Sequence, residues 1–287
     1  MKYAKIIFLL GLFILTIGDL YRFTTKYITF AEQTYLFPET KVLSFLQNQG
    51  GPFRVMSTDS RVFPPNFSAM YHIQTPDGYD PLFTERYAEF AAAISRGKPD
   101  INPPFGFNRI ITVQNSESFF IDLLNIRYLL SLRELDSEHF KKIMSEGETI
   151  VYENTNVLPR TFFVNEVRQA SGKQDTIEKL FSLERQLHEK AVVEGMEKKT
   201  AEALVNKQSS SVVITSYTSN RVVLETENIG EKFLVLSDAY YPTWHVNICN
   251  EEESECKGTT IYVTNYAFRG VIVPAGKHHV IFENRLL

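Results

Sequence analysis

Between Ile6 and Ile17 every side chain is uncharged and nearly every one is apolar ("IIFLLGLFILTI"), and nothing later in the chain repeats this pattern. Elsewhere apolar positions recur with one of two periods. Spacing near 3.6 predicts helices over "TKVLSFLQNQ", "TERYAEFAAAISRG", "SESFFIDLLN", "DSEHFKKIMSEG" and "QDTIEKLFSLERQL". Asp175 is placed to cap the last of these, with Glu178 three residues on, as in a capping box. Short runs rich in β-branched and aromatic residues predict strands over "FRVMS", "IRYLLS", "TIVYEN", "RTFFVNEV" and "AVVEG". An extended lead-in precedes the first short helix, and Gly50-Gly51-Pro52 stops that helix. The segment from Val62 to Phe83 and the Pro-rich "KPDINPPFGFN" carry no clean period and read as loops.

After the polar run "NKQSSS" the period becomes two. Seven short strands follow, from "SVVITSYT" to "HHVIFEN", with turn chemistry in "TSN", "NIGE" and "PAGK". That spacing predicts an antiparallel β-sandwich or open barrel. The fold class is therefore α+β. The expected divisions are an N-terminal transmembrane helix or signal anchor at 1–25, a mixed α/β region at 26–209, and a β-domain at 210–287.

The apolar run is about as long as a signal-peptide core, and Gly18 offers a small residue for cleavage. Yet Leu20, Tyr21 and Phe23 extend its apolar character, and Asp19, Arg22 and Tyr21 suit a lipid–water interface. Lys2 and Lys5 favour a cytoplasmic start, which Arg22 and Lys26 on the far side weaken. Either reading places the bulk of the chain on the extracytoplasmic side, tethered to the cell membrane if the leader is retained. Composition agrees: 44% hydrophobic and 13% aromatic residues supply a large core. A net charge of −4 with no basic stripe argues against nucleic acid. Cys249 and Cys256 flank a hairpin tip and can form a disulfide there, or remain two surface thiols. Their spacing matches no zinc or redox motif, and the six histidines show no metal-ligand spacing, so no metal or cofactor is expected.

The densest chemistry lies in "VLSDAYYPTWHV". Ser237 lacks the Gly-flanked elbow of a serine hydrolase, and strand alternation turns it away from Asp238. Asp238 is expected to bind nearby backbone N–H groups, with Tyr240, Tyr241 and Pro242 making a corner. Trp244, Val246 and Ile248 share a face and bury against the sheet; His245, Asn247 and Cys249 face outward. The alternative is a platform on which Tyr240, Tyr241 or Trp244 stacks on a sugar ring or sits among lipid headgroups. Arg269 either clamps an anion or pairs with Asp238. In "DGYDPL", Asp77, Tyr79 and Asp80 suit a turn or a polar contact near the membrane. The acidic tip Glu251 to Glu253 with Glu255 reads as a solvated loop.

Several segments taken together are similar to one family. "GPFRVMS", "GYDPL" then "RYAEF", "DLLNIRYLL", "VYENTNVLPRTFFV", "AVVEG" and "VLSDAYYPTW…NYAFRGVIVPAGKH" resemble, in this order, the C-terminal part of YfhO-like bacterial membrane proteins, which are related to the GT-C glycosyltransferases. The resemblance implies that the leader is a spanning helix. It also implies that the body helps transfer sugar from a polyprenyl-phosphate donor to a cell-envelope acceptor polymer. Candidate glycan or headgroup contacts are then Tyr240, Tyr241, Trp244, Arg269, Asp238, Tyr79 and Asp80. The family's other membrane helices and its acidic catalytic loop have no counterpart, Thr243 stands where Gly is usual, and the hairpin tip is longer. A fragment or split gene product without catalytic residues is therefore expected. The alternative is a stand-alone tethered glycan-binding or assembly module.

Overall fold

The computed structural model describes residues 2–28, 32, 35, 37–105, 109–252 and 254–285. The expected extended lead-in falls largely outside them, as does Glu253 of the acidic tip. Two compact units emerge, residues 1–44 and 45–287.

In the first unit, helix α1 (Lys2–Tyr27) continues well beyond the apolar run. Its 25-residue stretch Tyr3–Tyr27 is long and apolar enough to cross a membrane, and none of it is buried. At 1.5 Å per residue this is about 37 Å, more than the roughly 30 Å hydrocarbon core of a bilayer. The Thr16 and Thr25 hydroxyls donate back to the carbonyls of Leu12 and Tyr21, so neither is left unsatisfied on an apolar helix.

The second unit is built on three main sheets. One has the order β1-β4-β6-β5 (Arg54–Ser57, Ile126–Ser131, Thr149–Asn154, Phe140–Glu146). The second, β7-β12-β16-β15-β9-β8, brings together Thr161–Val164, Lys232–Ala239, Phe268–Val273, Tyr262–Thr264, Lys190–Glu194 and Glu166–Ala170. The third is antiparallel throughout: β10-β11-β17-β13-β14 (Ser210–Tyr217, Arg221–Asn228, Gly276–Asn284, Trp244–Cys249, Cys256–Thr259). A small ladder pairs β2 (Gly78–Tyr79) with β3 (Ile110–Ile111).

Strand β12 explains the layering. All its positions but the last are buried, so period two sends residues into two different cores. Leu234 and Leu236 meet Val222, Leu224, Val280 and Phe282 of the five-stranded sheet, completing a sandwich. Phe233 and Val235 face the other way, into a larger core with helices α3 (Glu85–Arg96) and α5 (Lys173–Leu183). There Phe90 packs edge-on against Phe268 and Phe120. Strands from both sides of residue 210 thus share one sheet, with β12, β16 and β15 lying between β7 and β9.

The α+β class and the C-terminal sandwich stand as expected; several local assignments change. "DSEHFKKIMSEG" is mostly strand β5, not helix: it forms a hairpin with β6 through Gly147 at φ 56°. A tight turn that needs a left-handed residue overrides the helical spacing. "RTFFVNEV" is two strands, β7 and β8, at opposite edges of the six-stranded sheet. The helix in "SESFFIDLLN" shrinks to α4 (Phe120–Leu123), and α2 occupies Lys41–Gln47. Among the described residues eight strands follow Ser209, because the exposed β14 pairs with β13. Helix α5 starts at N-cap Gly172 without a side-chain cap; Asp175 instead accepts the Ser171 N–H at 2.7 Å and pairs with Lys179. The "NKQSSS" run follows short helix α6 (Lys198–Ala203) and is tied in, its Gln208 carbonyl accepting the Lys232 Nζ at 2.8 Å.

A Cβ at Gly270 of β16 would strike the Phe233 ring and the Thr264 hydroxyl. Gly270→Ala should therefore lower unfolding stability by about 2–3 kcal/mol through overpacking, read as a shift in urea midpoint. An unchanged midpoint would show that the β12–β16 contact is looser than described.

Candidate functional site

Strand β12 ends in a bulge, where its register against β16 shifts between Leu236 and Ala239. The irregularity turns Ser237 onto the Arg160 carbonyl (Oγ at 3.0 Å) and directs Asp238 inward. Asp238 does not bind backbone N–H groups as expected. Its Oδ1 accepts from Arg160 Nη1 at 2.7 Å and Arg54 Nη2 at 3.0 Å, and Tyr217 Oη donates to the carboxylate at 2.9 Å. Arg269 Nη2 lies 3.7 Å from Oδ2, so the Asp238–Arg269 pairing weighed from sequence is present. Burial pushes the Asp238 carboxyl up, but Arg54, Arg160 and Arg269 outweigh that effect and hold it below the usual carboxylate range. Burial lowers Arg269 to about 10.

The cluster reaches outward through its arginines. Arg160 Nε donates to Asn125 Oδ1 and Nη2 to Gln74 Oε1; Arg54 Nη1 donates to the Leu124 carbonyl. Arg269 stacks on Trp244 with 3.8 Å between guanidinium carbon and ring centroid. Its Nε and Nη1 have no hydrogen-bond partner among the described residues. Asp238, Arg269 and Trp244 are thus brought together, but two of them are almost wholly buried and the third is half-covered. The arrangement locks strands and leaves no carboxylate oxygen for a ligand.

The remaining sequence candidates lie apart from it. Tyr240 is half-buried, its N–H bonded to the Ala267 carbonyl, while Tyr241 is exposed. Tyr79 ends the short strand β2 and Asp80 follows it, both exposed: Asn66 brackets the Tyr79 backbone, and Asp80 Oδ1 caps the Leu82 N–H at 2.7 Å. His245 is exposed, whereas Cys249, on the face expected to point outward, is fully buried. It packs with Val223 and Ile281 and is bonded to Cys256 as a disulfide.

A second buried network joins α3 to the six-stranded sheet. Tyr266 Oη donates to Glu89 at 2.6 Å, Lys173 Nζ pairs with Glu89 at 2.7 Å, and Arg86 grips Glu194 with both terminal nitrogens. Its groups are mutually satisfied, and several polar side chains also meet one another in a cavity of about 470 Å³ beside α4. There His139 contacts Asn156 and Arg185, and Asp122 accepts from Asn154 at 2.7 Å.

A cleft of about 770 Å³ differs in this respect. Asp77 lines it, with one carboxylate oxygen accepting the Val113 N–H at 3.0 Å. No ion pair among the described residues reaches Asp77, and burial pushes its carboxyl up to about 6. The other charges in the wall are already matched. Asp59 is held by Arg61, whose side-chain and backbone hydrogen bonds bring its carboxyl down to about 2. Arg96 is spent on the carbonyls of Asp100, Asn102 and Pro104. In sequence Asp77 looked like an ordinary turn former before Gly78; only the partner at Val113, 36 residues away, reveals it as a cleft wall.

Comparison of the chain with protein-family models, curated proteins and solved structures finds no match. No group of three or more His, Cys, Asp or Glu able to hold a metal occurs among the described residues.

Two stability measurements follow from the two carboxylates. Asp238→Ala should cost about 3–5 kcal/mol, because three guanidinium groups lose their buried counter-charge; a loss under about 1 kcal/mol in denaturant would contradict the structural role. Asp77 has the opposite sign. Its folded carboxyl titrates above its ordinary 3.8, so the native state holds the proton more tightly and stability falls as pH rises from about 4 to about 6. Asp77→Asn keeps an oxygen for Val113 and removes the charge. It should be about 2–3 kcal/mol more stable than the parent at pH 8 and equal to it near pH 3.5. Equal stability at both pH values would show that Asp77 is not desolvated.

Proposed function

We propose that this chain is the extracytoplasmic portion of a YfhO-like, GT-C-related membrane protein. In this reading it holds a polyprenyl-phosphate-linked sugar or a cell-envelope acceptor polymer close to the bilayer. The observation that carries it is the Cys249–Cys256 disulfide on a chain led by an apolar helix of spanning length. Disulfides persist in oxidising compartments, and an exported, membrane-tethered body meets that condition. The order of the motifs "NTNVLPR", "LSDAYYPTW" and "NYAFRGVIVPAGKH" supplies the family likeness.

Transfer chemistry is assigned to a membrane-embedded region and not to this body. Ser237 is buried on a carbonyl, Asp238 is saturated by arginines, and Asp77 is a desolvated carboxylate with no ion pair among the described residues. The body's contribution is to bind and position. A stand-alone tethered binding module is the second reading, favoured by the self-contained compactness of residues 45–287.

The full chain, expressed in bacteria, should fractionate with membranes and be digested by protease added outside spheroplasts. Its cysteines should resist alkylation until a reductant is added. In nanodiscs it should retain a polyprenyl-phosphate-linked hexose above the level of lipid alone. A protease-protected chain with freely alkylated cysteines would overturn the placement; retention no better than lipid alone would overturn the sugar-positioning role.

A further inference from the structure

A desolvated carboxylate is costly unless something of opposite charge or good hydrogen-bonding capacity meets it. Asp238 and Glu89 meet this requirement inside the protein, through arginines and a lysine. Asp77 does not: one oxygen has the Val113 N–H, and no cation among the described residues answers its charge. It also lines the largest of the cavities described, of a size that suits a small molecule. With Asp59 matched by Arg61 and Arg96 paired with Asp100, the wall carries one uncompensated negative charge. Around it stand neutral donors and acceptors, Thr112 and Gln114, and the half-exposed ring of Phe105. A cation supplied from outside fits the charge, hydroxyls fit the neutral groups, and a ring with an apolar face fits Phe105.

We infer that this cleft binds a saccharide bearing a free primary ammonium group, an amino sugar, with the ammonium seated on the Asp77 carboxylate. The saccharide half of this assignment rests on the glycan reading proposed above; the ammonium half rests on Asp77 alone. Binding needs the ionised carboxylate. The titratable groups nearby leave Asp77 as the one that switches around neutrality. Asp59 stays ionised down to about pH 2, Arg96 is held by Asp100, and Tyr87, which donates to the Pro76 carbonyl, is pushed up by burial and stays protonated.

The test uses the full chain in nanodiscs, titrated calorimetrically with D-glucosamine, D-glucose and ethanolamine at pH 5 and pH 7. Glucosamine should bind at least about tenfold more tightly than glucose at pH 7. Its affinity should fall about tenfold at pH 5, as the ionised fraction of Asp77 falls. Asp77→Asn, which keeps the Val113 bond, should abolish the preference and the pH dependence together. Glucose binding as tightly as glucosamine, with Asp77→Asn unaltered, would overturn the ammonium seat while leaving the glycan reading intact. Ethanolamine matching glucosamine would overturn the saccharide half and leave the ammonium seat. Binding of none of the three would overturn the inference altogether.

Discussion

One buried carboxylate, answered by three guanidinium groups, fixes how the body of this protein is assembled. Asp238 joins Arg54 of β1, Arg160 ahead of β7, Tyr217 at the end of β10 and Arg269 of β16. These residues belong to all three main sheets, so their relative placement is set by a directional contact as well as by apolar packing. Replacing such a cluster by well-packed apolar groups need not weaken a fold, but removing one member strands the others. Its value lies in specificity: apolar cores such as those on the two faces of β12 tolerate sliding, whereas directional charge-assisted hydrogen bonds do not.

The cluster also reaches the cleft. Arg160 holds the Gln74 side chain, and the Gln74 carbonyl accepts the Val55 N–H of β1. Three residues on, Asp77 takes the Val113 N–H and forms the cleft wall. A saturated carboxylate at the centre therefore positions an unsaturated one at the edge. This contrast separates scaffold from candidate site: both carboxylates are desolvated, and only one has its counter-charge among the described residues.

Period and turn chemistry made much of this fold legible in the sequence. Helix α3 ends at Gly97 with φ 64°, as its glycine suggests, and the alternation after Ser210 reads directly onto the two faces of the sandwich. What the pattern could not convey is pairing at long range. Strand β5 has helical spacing but is held by its hairpin partner; β7 and β8 are contiguous in sequence yet lie at opposite edges of one sheet. At the site, the Asp238–Arg269 pair was legible because both lie in the C-terminal run of strands expected to form one domain, whereas Arg54 and Arg160, 184 and 78 residues from Asp238, lie ahead of that run. Asp77 was hidden for the opposite reason, since an Asp before Gly is commonplace in turns.

Because β12, β16 and β15 lie between β7 and β9, residues 54–284 should open as one cooperative unit. Native-state hydrogen exchange tests this most directly, on the amides of Val55, Val192, Leu234 and Val271. All four should exchange with the same free energy as global unfolding and fall together in an Asp238→Asn variant. A lower opening free energy confined to Leu234 and Val271, with Val55 and Val192 unmoved by the substitution, would mean that the strands after residue 210 open separately from those before it and that Asp238 does not hold them together.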